Sequence, residues 1–122
     1  MEVRGYEHLV VWQKAIDLAE EVYRVVKLLP KEELYALSDQ MRRSVVSISA
    51  NIAEGQSRGS TKEFIQFLNI SAGSNAELFT LLLICERVGY ISQKDLSLAK
   101  GLSPEISKMI SSMISKLNAS IK

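Results

Sequence analysis

The chain has 122 residues, the length of one ordinary domain, and can bury a core without disulfide or metal support. Fifteen basic and 14 acidic side chains leave a formal charge of +1, so bulk charge attracts no partner. Any nucleic-acid affinity must come from how the charges are arranged. One cysteine excludes an intramolecular disulfide, and one histidine excludes the paired Glu-x-x-His motifs of a di-iron bundle.

The N-terminal Met1-Glu2-Val3-Arg4-Gly5 lacks a charged-then-apolar signal pattern, and no apolar run approaches the ~20 residues of a membrane span, so a cytoplasmic protein is expected. Helix one is predicted over residues 8–29. Val11, Ala15, Leu18, Val22, Val25 and Leu29 alternate steps of four and three, the mark of a bundle seam, and Pro30 ends the helix. Helix two is predicted over residues 31–54, with a seam of Leu34, Leu37, Met41, Val45, Ile48 and Ile52. Gly55 is placed to close it in a left-handed cap.

Ser60-Thr61-Lys62-Glu63 reads as a capping box opening helix three, which runs over 61–88. Its middle, Ser71-Ala72-Gly73-Ser74-Asn75-Ala76, is small and polar, which suits a close helix crossing or a ligand groove at a thin spot. After Gly89 and Tyr90, Ser92-Gln93-Lys94-Asp95 caps helix four, predicted over 92–121. Its seam is Leu98 or Ala99, Leu102, Ile106, Met109 or Ile110, Met113, Leu117 and Ile121. Ser103 as N-cap with Pro104 at the first helical position predicts a break at 101–104, because an interior proline costs about 3 kcal/mol. No strand-period segment or linker is present. The expected fold is all-α, an antiparallel up-down four-helix bundle in a single domain, residues 1–122.

Catalysis is hard to build from these residues. Cys85 lies in the aliphatic run Leu81-Leu82-Leu83-Ile84-Cys85, not in the electropositive setting of a reactive thiol, and His8 has no second ligand beside it. No catalytic residue, metal or cofactor is expected. Helix two is more suggestive. Arg43, Val46, Ser47, Ala50, Ala53 and Glu54 cluster opposite or beside the seam, and short or apolar side chains there suit a contact with another chain. Arg43 and Glu54, about 16 Å apart along the helix at ~1.5 Å per residue, are expected to meet across a subunit boundary. Arg42, Arg58 and Lys62 form a basic cluster if the turn after helix two folds back beside it. Arginine forks near a helix N-terminus suit phosphate oxygens.

The stretch RRSVVSISANIAEGQSRGSTKEF, from Arg42 to Phe64, together with Leu9-Val10-Val11-Trp12-Gln13-Lys14-Ala15 and Phe64-Ile65-Gln66-Phe67-Leu68, resembles the four helix bundle proteins also called 23S rRNA intervening-sequence proteins. The resemblance covers about residues 6–120 and implies a ring-shaped homopentamer. It also implies one of two functional settings, an association with structured RNA or the role of nucleic-acid-binding accessory to a reverse transcriptase. The leading expectation is a non-enzymatic ring that contacts RNA or DNA through phosphates. The alternative is a protein-interaction scaffold with Trp12, beside Val10 and Val11, as an anchor.

Overall fold

The computed structural model describes residues 5–121. Four α-helices follow one another: α1 Val10–Val26, α2 Leu37–Ser57, α3 Thr61–Arg87 and α4 Gln93–Ser120, with 3-10 turns at Tyr6–His8 and Lys31–Glu33. No strand is present among the described residues. Each helix packs on its chain neighbour, and α4 returns to α1, which closes the bundle.

The seams of the inner helices are those the periodicity marks. Val11, Ala15, Leu18, Val22 and Val25 of α1 are buried, as are Met41, Val45, Ile48 and Ile52 of α2. In α4 the ambiguous positions resolve to Ala99 and Ile110, while Leu98 is 57% exposed. Towards its C-terminal end that seam thins, with Met113 and Leu117 half-buried and Ile121 exposed.

Four expectations about element ends are corrected. Helix one stops at Val26, and Leu29, though buried, belongs to the turn. Helix two begins at Leu37 rather than 31, because extended Pro30 and the 3-10 turn at Lys31–Glu33 reverse the chain first, which leaves Leu34 outside the seam and 45% exposed. Gly55 is not a cap but a buried residue inside α2, which runs on to Ser57; the left-handed residue is Gly59, with φ of +77°. Finally, α4 is unbroken through Gly101 and Pro104. The Ser103 hydroxyl that would cap a new helix donates instead to Asn75 Oδ1 on α3 at 2.8 Å, and Asn75 Nδ2 donates back to the Ser103 carbonyl at 2.8 Å. With Ala99, Ile106 and Ile110 buried on either side, packing holds both flanks of the proline in one helix despite its cost.

The small-residue stretch of α3 forms the close crossing that its composition suggests. Ser71 Oγ donates to the Ile48 carbonyl at 2.8 Å, and the hydroxyls of Ser47 and Ser74 lie 2.7 Å apart. Gly55 extends the contact, since a Cβ built there would stand 2.6 Å from Phe67 Cβ and 3.2 Å from the Phe64 ring. At the start of α3, Ser60 Oγ accepts from the Glu63 N–H at 3.3 Å, half of the expected capping box, while the Glu63 carboxylate turns towards Arg58. Ser92 caps α4 as expected, accepting from the Asp95 N–H at 3.1 Å.

Gly55→Ala should destabilise the protein by about 1–3 kcal/mol through overpacking against Phe67, although alanine is the better helix former. Gly73 is the internal control, because a methyl group added there would meet nothing within 4 Å. Gly73→Ala should therefore stabilise by about 0.5–1 kcal/mol. Urea unfolding of both variants measures the opposite signs.

Candidate functional site

The outer face of α2 carries the residues expected to contact another chain. Arg43, Val46, Ala50 and Glu54 are exposed, whereas Ser47 and Ala53 are half-buried. Ser47 has an internal role, bonded to Ser74 and accepting from Asn51 Nδ2 at 2.9 Å. Arg43 and Glu54 each have a partner within the chain. Arg43 Nε donates to Asp39 at 3.0 Å and Arg58 Nε to Glu54 at 2.8 Å, ion pairs within the chain that leave both side chains largely exposed.

The expected basic cluster of Arg42, Arg58 and Lys62 does not form. Arg42 and Arg58 stand at opposite ends of α2, sixteen residues or about 24 Å apart at ~1.5 Å per residue. Arg58 is also electrostatically occupied: besides Glu54 it lies 3.6 Å from Glu63, and its guanidinium sits 5.0 Å from the Phe67 ring centroid. It fastens the α2–α3 corner. Lys62 is exposed one helical turn on, at the start of α3.

Arg42 instead joins two lysines that helical periodicity does not single out. The turn after α1 brings Lys27 and Lys31 to the same cleft, of about 210 Å³, beneath the first turn of α2. The signal is visible in retrospect as Lys27-Leu28-Leu29-Pro30-Lys31, two lysines four residues apart around a proline. Only the chain reversal places them beside an arginine eleven residues later. A second, shallower concavity over α2 is lined by Tyr23, Asp39, Arg42, Arg43, Val46 and Ala50 among others, so the basic end and the contact face are continuous through Arg42 and Arg43.

Beside this face runs α3, which is apolar well beyond its buried side. No apolar segment of membrane-span length is expected from the sequence, yet α3 is 27 residues long with an 18-residue window of mean hydropathy 1.3, enough in length and composition to cross a membrane. Between residues 64 and 85 its polar positions are mostly uncharged Ser, Asn and Thr, with Glu77 the one charge, and they interrupt an apolar run without making it hydrophilic. Leu68, Ser71, Asn75, Leu78, Leu82 and Cys85 face the bundle, but Ile70, Ile84 and Val88 are 47%, 41% and 57% exposed on the other side. The thin spot also opens a groove of about 430 Å³ towards α4, with Ala76, Phe79 and Pro104 on its walls and the bonded Asn75–Ser103 pair at its base.

Comparison with protein families matches residues 7–112 to the 23S rRNA-intervening sequence proteins. The chain belongs to that family. A solved structure, described as a protein with unknown function from the S23 ribosomal protein family of Bacteroides thetaiotaomicron, is similar at a TM-score of 0.80 and 31% identity. The similarity covers 86% of this chain and 98% of that one. Comparison with the curated proteins finds no match. All the surfaces described above lie within the span matched to the 23S rRNA-intervening sequence family.

Among the described residues of this family member, no group of three His, Cys, Asp or Glu side chains is placed to hold a metal. Trp12 packs against the core and lies 5.2 Å from Tyr6, ring centre to ring centre, so it belongs to the bundle rather than standing free as an anchor. His8 is exposed in the first 3-10 turn. Cys85 is fully buried, its thiol donating to Met41 Sδ at 3.6 Å. Burial pushes that thiol above the ordinary range, with a smaller push from Glu33. The Tyr90 hydroxyl is likewise raised, chiefly by its 3.0 Å hydrogen bond to Glu33.

A raised folded-state pKa gives stability that is complete below the unfolded value and is lost as pH climbs towards the folded one. The unfolding free energy should therefore be level up to about pH 8.5 and fall above it, the unfolded thiol ionising first. Cys85→Ala should flatten the early part of that decline, and denaturant titrations from pH 7 to 10.5 measure it.

Proposed function

We propose that the protein is a non-enzymatic scaffold that assembles with copies of itself through the outer faces of α2 and α3 and presents basic ends to RNA. One observation carries the assembly: Ile70 and Ile84 of α3 and Val88 at its end are exposed along one face, broken by Glu77, while Val46 is exposed on α2, the helix α3 packs against. Large aliphatic side chains that recur on one exposed helix face are ordinarily covered by a partner, whereas singly scattered ones need none. Closed symmetry is the common outcome of self-association, and a ring of five is the reading that the family resemblance favours.

Assembly predicts a mass in sedimentation equilibrium several times the 13.6 kDa of the chain. Ile70→Glu/Ile84→Glu should reduce it to that of a folded monomer with unchanged helix content. A wild-type monomer at high concentration would overturn the proposal.

A second observation favours RNA over an exclusively protein partner. Lys27, Lys31 and Arg42 converge on one cleft whose lining includes no carboxylate, and a ring would repeat that corner in every subunit. The family description, which ties its members to the intervening sequences of 23S rRNA, supports RNA as the nucleic acid. Contacts of this kind reach phosphates rather than base edges, so binding would be sequence-poor and salt-sensitive. A reverse-transcriptase partner and a pure protein scaffold are the competing roles.

Fluorescence anisotropy with structured RNA tests the reading. Affinity should fall steeply between low and physiological salt, and Lys27→Ala/Lys31→Ala/Arg42→Ala should weaken it by about tenfold or more. Arg58→Ala should change stability more than binding. Binding absent even at low salt, with the oligomer intact, would leave the protein scaffold.

A further inference from the structure

We infer that the first turn of α2 is a discrete phosphate-binding site, formed by Ser38 and the open backbone N–H groups of Leu37, Ser38 and Asp39, with Lys27, Lys31 and Arg42 around it. The inference rests on the phosphate-contact reading of Arg42 above and gives it a defined location.

The start of α2 is uncapped. Ala36, in the N-cap position, offers no side-chain acceptor, and the first-turn N–H groups have no acceptor elsewhere in the described chain; Gln40 N–H, bonding to the Ala36 carbonyl, is the first that is satisfied. The same protein caps α3 and α4 with serine hydroxyls. Open donors at a helix start carry partial positive charge and suit an anion.

Ser38 points independently to a ligand. It is 3% exposed, yet its hydroxyl has no hydrogen-bond partner among the described residues and it lines the cleft. No fully buried side-chain oxygen among the described residues lacks a partner, so the small residual exposure of Ser38 includes this hydroxyl, and a phosphate oxygen in the cleft would accept its hydrogen bond.

The charges around the cleft are one-sided. Arg42 lies one turn beyond Ser38 on the same face, Lys27 and Lys31 come from the end of α1 and the turn after it, and none of the three is ion-paired among the described residues. Of the nearby carboxylates, Asp39 is engaged by Arg43 and Glu33 by the Tyr90 hydroxyl, and Glu32 is exposed outside the lining of the cleft. The C-terminal end of α1, which would oppose an anion, has its Val25 and Val26 carbonyls taken by the N–H groups of Leu28 and Leu29. Val26, Leu29 and Leu34 supply apolar walls that limit solvent. The cleft, of about 210 Å³, has room for a phosphate group with a few waters.

The test follows the backbone amides of Leu37, Ser38 and Asp39 by NMR in the full 15N-labelled chain, titrated with inorganic phosphate at constant ionic strength held by chloride. Saturable shifts confined to these amides, absent with chloride alone, are expected. Ser38→Ala and Lys31→Gln, both checked for unchanged helix content, should each weaken phosphate binding by about tenfold. Shifts that chloride reproduces, or phosphate affinity unaltered in both variants, would overturn the site.

Competition separates the sources of the phosphate. If inorganic phosphate displaces bound RNA more than chloride does at the same ionic strength, the site takes a backbone phosphate. If phosphate fills the site and leaves RNA bound, the site takes a free phosphate and RNA binds elsewhere. A protein that binds phosphate but no RNA keeps the site and loses the RNA reading.

Discussion

The close approach of α2 to α3 is the constraint on which the rest of the structure depends. Serine, glycine and asparagine along both helices let the two backbones come near enough for Ser71 to bond the Ile48 carbonyl and for Gly55 to lie against Phe67. Small residues forgo hydrophobic burial at these points, and hydrogen bonds to backbone and between hydroxyls replace it. No side-chain nitrogen or oxygen fully buried among the described residues lacks a partner. The crossing is therefore polar and internally hydrogen-bonded, which makes its register specific.

That register sets where everything else faces. With Ile48, Ile52 and Met41 turned inward, Val46, Ala50 and Arg43 must turn outward, and Arg42 falls on the flank towards α1. Arg58, held between Glu54 and Glu63 and resting on Phe67, locks the corner in which α2 becomes α3. Each exposed pair of this kind is worth little alone, about 0–1 kcal/mol, but together they fix a turn in which Gly59 supplies the left-handed residue. On the far side of α3, the Asn75–Ser103 pair performs the same service for α4 and carries the helix across Pro104.

The bundle leaves its chemistry at the ends and its stickiness on the sides. Buried aliphatic side chains, one thiol, and several serines with Asn75 fill the interior. The outer side of α3 exposes Ile70 and Ile84 among polar residues, and the cleft between α1 and α2 is lined by Lys27, Lys31 and Arg42. The proposed self-association and phosphate contact draw on these two surfaces.

The helices, their order and their inner seams were legible in the sequence alone because helical periodicity is a local property. Alternating steps of three and four along Val11 to Val25 or Met41 to Ile52 admit one buried face, and the Ser60 and Ser92 caps mark helix starts within four residues. What needed tertiary structure was any property set by two distant segments. Gly55 reads locally as a cap and Pro104 as a break, but the close packing of Phe67 and Phe64 and the amide of Asn75 decide otherwise. Likewise Arg42 and Arg58 look like one cluster when counted along the chain, whereas a rigid helix holds them at its opposite ends. A chain reversal at Pro30 gives Arg42 the company of Lys27 and Lys31 instead. Periodicity reports which way a side chain points; only packing decides what it meets.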